Sequence, residues 1–264
     1  MMLEWGAERL HFTVEGAGPA LLFLHGLGGT AGNWLHQRRY FAATHRVIAL
    51  DLPGHGRSTG IEVPFGDYAL AIEAVVKHCA VEQVSIVGLA AGARAGLAFA
   101  ASRPAQVPAL VIVNAFLRLT PEDHRRNVEL YDLLLQPNGV TAWGEALLSK
   151  MGMTAHPGIN RSFMRSLSGV DASHLRRIFS ETLDSDQEGQ LANVPAEVLL
   201  IRGERDDLIP AYTIEDMPAL HPGTRIARFP ELGHLPYLED PAAFNAAVAA
   251  FLRPAQSPAE TSAN

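Results

Sequence analysis

The sequence predicts an α/β fold, in which a mostly parallel central sheet has helices on both faces. Short apolar segments alternate with stretches of helical character along most of the chain, and this alternation is typical of parallel strands joined by crossover helices. Segments 20–24, 47–50 and 110–113 contain only apolar residues, as strands buried on both faces of a sheet do. The length of 264 residues and the apolar content of 48% suit one well-packed domain of this class.

Each predicted element occupies its own place in this alternation. The strands are predicted at short apolar segments bounded by turn residues, namely 10–14, 20–25, 47–50, 84–87, 110–114, 198–202 and 224–229. The helices are predicted where longer stretches separate or follow those strands, at 67–79, 91–101, 213–219 and 241–252.

The alternation breaks between about Phe116 and Val194, where several short helices and no convincing strand are expected. The first of these helices should begin at Thr120, because a capping hydroxyl, a proline and two acidic residues follow in order. We interpret 116–194 as a helical lid inserted into a core formed by 1–115 and 195–253. The small, polar tail 254–264 is expected to be disordered.

Charge and composition exclude several classes of protein. A net charge of −7 argues against nucleic acid or an anionic membrane as partner, and no segment has the roughly 20 apolar residues of a membrane span. The N-terminus has no secretory signal, and the single cysteine, Cys79, suits a reducing cytoplasm. We therefore expect a cytoplasmic protein that acts on a small molecule, without a cofactor, and leave open whether it forms a homodimer. The histidine spacing matches no metal site.

One motif resembles a nucleophile elbow without its nucleophile. The segment Gly88-Leu89-Ala90-Ala91-Gly92 follows a predicted strand and precedes a helix, as the pattern G-x-S-x-G does, but alanine stands at the serine position. Alanine can preserve the turn and its backbone donors, but it has no oxygen with which to form an acyl-enzyme.

A glycine-rich loop follows the strand at 20–25. In the segment His25-Gly26-Leu27-Gly28-Gly29 the glycines allow a sharp turn that can aim an N–H at a developing oxyanion. The two expected donors of the oxyanion hole are the N–H groups of Leu27 and Ala91. His25 is expected only to brace the loop, and the pair His55 and Ser58 in the next loop is also interpreted as structural.

An acid and a histidine follow the last two predicted strands. Asp206 lies three residues after Gly203, with Asp207 as the alternative, and His234 follows a glycine beyond the final strand. The carboxyl ends of sheet strands are where α/β folds place their chemistry. The order Ala90, Asp206, His234 is that of nucleophile, acid and base in alpha/beta hydrolases.

Together these motifs resemble the alpha/beta hydrolase superfamily over essentially the whole folded length. Within it, the chain resembles the aminoacrylate (carbamate) hydrolases of the bacterial pyrimidine-utilisation pathway, which also have alanine at the elbow. The matching segments are the elbow 87–93, the lid entry 113–119 with Arg125 and Arg126 after it, the lid stretch 139–146 and the terminal segment 240–245. Both His25-Gly26 and the acid motif 203–206 depart from this pattern and are closer to lactonases and esterases.

The resemblance implies a hydrolase that acts on a small, labile C–N substrate, an aminoacrylate or a carbamate, through a water activated by His234 and Asp206. Contacts with substrate are expected from Gly26, Phe116, Trp143 and Arg94. Two alternatives stay open: a serine hydrolase of esters or enol-lactones in which serine 90 has been replaced by alanine, and a non-catalytic module that binds a small molecule.

Overall fold

The computed structural model describes residues 1–167 and 169–253, and the predicted disordered tail 254–264 lies outside them. Its centre is one eight-stranded sheet with the strand order β1-β2-β4-β3-β5-β6-β7-β8. The strands are β1 Met2–Trp5, β2 Glu8–Glu15, β3 Ala20–Leu24, β4 Arg46–Leu50, β5 Val84–Leu89, β6 Ala109–Val113, β7 Glu197–Gly203 and β8 Arg225–Phe229. From β4 to β8 every neighbouring pair is parallel, whereas β1 pairs with β2 and β2 with β4 in antiparallel fashion. The predicted α/β class is confirmed.

All seven predicted strands are present, and β1 was missed. The missed strand is four residues long and alternates between exposed and half-buried positions at the edge of the sheet. Such a strand has no continuous apolar segment, so the pattern that identifies the buried strands cannot identify it.

Twelve α-helices occur in the described residues. They are α1 Leu35–Phe41, α2 Tyr68–His78, α3 Ala91–Ser102, α4 Pro121–Asp132, α5 Gly139–Lys150, α6 Pro157–Ser166, α7 Ala172–Asp184, α8 Glu188–Asn193, α9 Tyr212–Glu215, α10 Met217–Leu220, α11 Pro236–Glu239 and α12 Pro241–Leu252. The single helix predicted at 213–219 is instead the two short helices α9 and α10. Pro218 lies in the first turn of α10, and a proline ring there clashes with continuation of the preceding helix.

Helices α4 to α8 form the connection between β6 and β7, where the lid was predicted. Helix α4 begins as expected: the Thr120 hydroxyl accepts a hydrogen bond from the Asp123 N–H at 3.2 Å, and Pro121 occupies the first helical position. No helix in the described part of the chain is both long and apolar enough to cross a membrane.

Side chains of β3 alternate between two apolar layers, one on each face of the sheet. Leu22 and Leu24 pack with α2 and α3, whereas Leu21 and Phe23 pack with α1, α12 and the apolar side chains of the lid. The segment between β6 and β7, called the lid below, therefore shares one apolar layer with this face of the sheet.

Candidate active site

Ala90 stands in the sharp turn between β5 and α3. Its backbone angles are φ 47° and ψ −116°, and its N–H donates to the Val113 carbonyl at 2.9 Å. A non-glycine residue in such a conformation costs about 1–3 kcal/mol. The flanking glycines are required by close approach, since a Cβ at Gly88 would lie 2.4 Å from the Ala93 Cα and one at Gly92 would lie 2.3 Å from the His25 carbonyl oxygen. The strained elbow is thus retained although the hydroxyl is missing.

The loop after β3 lies beside this elbow. Gly28 has a φ of +75°, and the Gly29 N–H donates to the Gly26 carbonyl at 3.0 Å, which closes a tight turn. Leu27 and Ala91 both line the cavity next to Ala90. In the described structure neither of their N–H groups has a hydrogen-bond acceptor, so both are free to serve an oxyanion.

His25 stabilises this loop through two hydrogen bonds of its ring. Its Nδ1 hydrogen-bonds the Gly26 carbonyl at 2.8 Å, and its Nε2 accepts from the Leu52 N–H at 3.0 Å. The ring is therefore a neutral tautomer, and burial lowers its pKa. The contacts agree with the expected bracing role. The side chains of His55 and Ser58 also have structural partners and do not bond each other. The His55 ring bonds to the Pro53 carbonyl, and the Ser58 hydroxyl donates to the Asp51 carbonyl.

Asp206 and His234 form a buried pair. The Asp206 Oδ2 lies 2.8 Å from the His234 Nδ1, and the side chains are 1% and 4% exposed. The other oxygen, Oδ1, accepts from the N–H groups of Leu208 at 2.9 Å and Ile209 at 3.2 Å. In the tautomer that donates its Nδ1 proton to this carboxylate, the His234 ring has a lone pair on Nε2, and His234 lines the cavity. The alternative acid, Asp207, is exposed.

Arg202 supports the acid loop from the last strand before it. Its guanidinium donates to the carbonyls of Ile209 at 2.6 Å and Asp206 at 2.8 Å, and it lies 3.7 Å from the Asp206 Oδ2. Its guanidinium therefore fixes the backbone on both sides of the acid.

Two side chains that the sequence analysis did not single out, Asn114 and Glu239, bond to the loops that carry Asp206 and His234. The Asn114 amide donates to the carbonyls of Gly233 at 3.1 Å and His234 at 3.0 Å, while its oxygen accepts from the Gly203 N–H at 3.1 Å. Glu239 accepts from the N–H groups of Gly233 and Leu235, and burial raises the pKa of its carboxyl. A polar residue at the end of an otherwise apolar strand was the available signal for Asn114. The pattern gave none for Glu239.

These groups surround a cavity under the lid. Its volume is about 60 Å³, which is enough for a few waters or a small substrate. Its walls are mainly apolar, and among the described residues that line it His234 is the only histidine and no Asp, Glu, Lys or Arg occurs. The lining residues are Gly26, Leu27, Gly29, Asn33, Leu89, Ala90, Ala91, Phe116, Asn127, Tyr131, Leu147, Met151, Phe163, Phe179, Thr182, Leu208, Ile209, His234, Leu235 and Tyr237.

Of the four residues expected to contact substrate, Gly26 and Phe116 line the cavity, whereas Arg94 and Trp143 do not. Arg94 is buried beside it, and its guanidinium donates to the carbonyls of Phe116 at 3.1 Å and Ser185 at 2.6 Å. Trp143 is fully buried behind Tyr131, with the two rings in edge contact. Both side chains therefore act within the packing of the lid, and neither lines the cavity.

The arrangement provides a base, an orienting carboxylate and two backbone donors around one small space. It suits the activation of water against a polarised carbon. In the described part of the chain, no three His, Cys, Asp or Glu side chains are grouped so that they could hold a metal ion.

Comparisons with known proteins agree with this geometry. Residues 21–247 match the model of the alpha/beta hydrolase family. The chain is 29% identical over 238 residues to "Putative carbamate hydrolase RutD" of Klebsiella pneumoniae (strain 342), covering 86% of this chain and 88% of that protein. It is 27% identical over 261 residues to an uncharacterized protein of Mycobacterium bovis, covering 89% of this chain and 76% of that protein.

Solved structures are similar over nearly the full length. A hydrolase from Pseudomonas aeruginosa superimposes with a TM-score of 0.86 at 25% identity and covers 96% of this chain and 98% of its own. The enol-lactonase from Burkholderia xenovorans LB400 has the same TM-score at 18% identity, with 96% and 99% covered, and shows likeness of fold alone.

Proposed function

We propose a substrate for this chain, which belongs to the alpha/beta hydrolase family and is a hydrolase of that type. It hydrolyses a small, labile C–N compound. The substrate class is an aminoacrylate or a carbamate, and water attacks without a serine nucleophile. The observation that supports this most is the intact, buried Asp206–His234 pair beside an elbow whose residue, Ala90, has no hydroxyl. The relatives named as carbamate hydrolases support the same substrate class.

A labile substrate is what this site suits chemically. In a serine protease, loss of the serine lowers turnover about 10⁶-fold, while the oxyanion hole and binding retain roughly 10³- to 10⁴-fold over water. That remainder is too small for ordinary esters or amides. It suffices for a substrate that already adds water or decomposes readily.

The proposed reaction needs only proton transfers at His234. An aminoacrylate tautomerises to its imine; a water next to Ala90 gives a proton to the Nε2 of His234, and its oxygen bonds to the imine carbon. The protonated histidine, stabilised by Asp206, returns this proton to the nitrogen and leaves a carbinolamine. His234 then moves the proton of the new hydroxyl group to the amino nitrogen, the C–N bond breaks as the C=O bond forms, and ammonia and an aldehyde leave. With a carbamate, protonation at nitrogen breaks the C–N bond to give ammonia and carbon dioxide.

The test is steady-state release of ammonia and aldehyde from freshly generated 3-aminoacrylate by the wild type and by His234→Ala. We expect acceleration over the spontaneous rate, and a loss of at least about a hundredfold in the variant. An unchanged rate in His234→Ala would remove this residue from the mechanism. If aminoacrylate is not accelerated, the same pair of proteins is assayed with carbamates, and no acceleration there contradicts the proposal.

The retained strain at Ala90 and the unoccupied N–H groups of Leu27 and Ala91 favour a second candidate, a serine hydrolase of esters or enol-lactones with alanine in place of its serine. Ala90→Ser distinguishes the two. A large gain of esterase activity with labelling by a fluorophosphonate supports the second candidate, whereas unchanged ester hydrolysis supports the first. Thermal stabilisation by a ligand without any turnover would instead indicate a binding module.

A further inference from the structure

We infer that the Tyr237 hydroxyl is a substrate-binding donor of this cavity, oriented by Asn33, and that it binds an acceptor oxygen of the substrate, a carboxylate or carbonyl oxygen. This inference rests on the proposed function for the identity of the substrate, but not for the binding of an oxygen ligand. Neither residue was singled out in the sequence.

The Tyr237 ring is fixed by aromatic packing. Tyr237 is the second residue of α11, lies three residues after His234 in the chain, and is 1% exposed. Its ring stacks on Trp34 with centroids 4.2 Å apart and meets Phe244 edge-on at 6.1 Å. Because the ring is held on these contacts, the position of its oxygen is fixed with respect to the cavity that Tyr237 lines.

The hydrogen bonds around Asn33 determine which way the Tyr237 proton points. The Asn33 oxygen accepts from the Thr30 N–H at 2.6 Å and from the Thr30 hydroxyl at 3.2 Å, so its amide nitrogen is the group left for Tyr237. An interaction with the Asn33 side chain opposes the rise that burial causes in the pKa of the Tyr237 hydroxyl. A donor to the tyrosine oxygen has this effect, so the Asn33 amide is assigned as the donor and the tyrosine oxygen as the acceptor. The O–H proton of Tyr237 then has no acceptor among the described residues and is available to a ligand.

The character of the cavity indicates what this proton binds. No Lys or Arg side chain lines it among the described residues, so an oxygen of the substrate must be met by neutral donors. Burial raises the pKa of the Tyr237 hydroxyl, which keeps it protonated as a donor. Both proposed substrates offer a carboxylate or carbamate oxygen, and a donor outside the reacting centre would bind it without taking part in proton transfer.

A second tyrosine provides a matched control. Tyr131 also lines the cavity and is buried, but its ring packs on Phe179 and Trp143 of the lid. No asparagine bonds its hydroxyl in the described structure, so its proton is not directed. Tyr131→Phe removes the same atom as Tyr237→Phe from another residue that lines the same cavity.

The experiment compares the wild type, Tyr237→Phe and Tyr131→Phe in two assays. Calorimetry measures the affinity for propanoate and for propanamide, two unreactive probes with an acceptor oxygen. Kinetics with 3-aminoacrylate measures KM and kcat. We expect Tyr237→Phe to weaken propanoate binding and raise KM by about 10- to 100-fold, with kcat little changed, because binding away from the reacting atoms is uniform. Tyr131→Phe should lose less affinity than Tyr237→Phe, because no asparagine directs the Tyr131 hydroxyl.

A third variant keeps the hydroxyl and redirects its proton. In Asn33→Asp the new carboxylate can still accept from Thr30 but also accepts from Tyr237, which turns the O–H away from the cavity. Affinity for the neutral probe propanamide should then fall as in Tyr237→Phe, and adding Tyr237→Phe to Asn33→Asp should cause no further loss.

The outcomes separate the two claims. If Tyr237→Phe binds the probes weakly and Tyr131→Phe does not, the inference is supported. This holds even when aminoacrylate is not turned over, a result that contradicts the proposed function only. Wild-type affinity and wild-type KM in Tyr237→Phe overturn the inference while the proposed function stands. Equal losses in both tyrosine variants, or no binding of either probe by the wild type, also overturn it. Thermal midpoints within a few degrees of the wild type are required of each variant, and the phenylalanine preserves the stack on Trp34.

Discussion

At the scale of single residues, Ala90 combines a costly backbone conformation with a side chain that cannot attack. The turn has a positive φ because β5 must pass directly into α3, with Gly88 and Gly92 packed against neighbouring backbone. An alanine residue has no intrinsic preference for this backbone conformation. The surrounding structure therefore imposes the turn, and the free energy of unfolding should show the cost.

Replacement of Ala90 by glycine should accordingly be neutral or stabilising, by up to about 1 kcal/mol, since glycine adopts positive φ without a Cβ clash. Ala93→Gly is the matched control: Ala93 is buried in the regular part of α3, where glycine costs about 1 kcal/mol or more. Urea denaturation of the two variants measures the difference. Equal destabilisation by both would show that Ala90 is unstrained.

Asn114 connects the acid loop to the histidine loop through three hydrogen bonds. Asn114→Ala leaves the carbonyls of Gly233 and His234 and the N–H of Gly203 buried without this partner, at about 1–3 kcal/mol for each unsatisfied group. We expect a loss of at least about 2 kcal/mol in stability together with reduced turnover. Asn114→Asp keeps the acceptor for Gly203 but loses both donors, so intermediate stability is expected. A variant with full stability and full activity would contradict this role.

Residues of the site were predictable from the sequence to the extent that position along the chain determines them. Asp206 and His234 each follow a strand whose carboxyl end is fixed by the parallel sheet, and the structure brings them together. Arg94 and Trp143 do not line the cavity, and the sequence could not show this because the direction of a side chain on a helix depends on what packs against it. Tyr237 and Asn33 meet only in three dimensions, so no local pattern identifies them.

At the scale of elements, Arg94 links α3 to both ends of the lid. One guanidinium nitrogen bonds the Phe116 carbonyl, where the lid begins, and another bonds that of Ser185, close to its end. The guanidinium also lies 4.6 Å from the centre of the Phe116 ring. A single side chain of α3 thus bonds both ends of the segment that carries α4 to α7.

Arg94→Met should loosen the base of the lid while leaving the sheet intact, because methionine fills similar space but donates no hydrogen bond. Amide hydrogen exchange should become faster in the segments around Phe116 and Ser185 and stay unchanged in β3 and β5. Arg103→Met is the control, since Arg103 is exposed and pairs with Glu73 at the other end of α3. Protection that is identical in the two variants would exclude the linking role.

The elements themselves were largely readable because most strands of a parallel sheet are buried on both faces. Burial gives β3, β4 and β6 uninterrupted apolar segments, which the sequence displays directly. The edge strand β1 and the seven-residue helix α1 are half exposed, and their order comes from pairing and packing with distant segments. Such elements leave little local signal.

At the scale of the whole molecule, several buried histidines make folding depend on pH. His25 and His55 are at most 2% exposed, and their rings lie 5.1 Å apart. Burial lowers the pKa of His25, and burial together with the neighbouring His25 lowers that of His55 from 6.5 to about 3. Because the unfolded chain binds protons at pH 6.5 and the folded chain does not, stability is complete above that pH and is lost as pH falls below it.

Each such histidine should contribute a slope of about 1.4 kcal/mol per pH unit below pH 6. Urea denaturation between pH 7.5 and 5 measures the total slope. His55→Gln should make the slope shallower by about one histidine, whereas His36→Gln, at an exposed position, should leave it unchanged. A wild-type stability that does not change over this range would show that these histidines are not buried neutral.

The backbone conformation at Ala90 also affects how this chain can evolve. Every alanine codon becomes a serine codon by one change at its first base, and the backbone at position 90 already has the conformation that a nucleophilic serine would need. A lineage with this turn can therefore exchange one chemistry for another by a point mutation, with no rebuilding of the sheet, the oxyanion loop or the Asp206–His234 pair. The geometry preserves an evolutionary route in both directions.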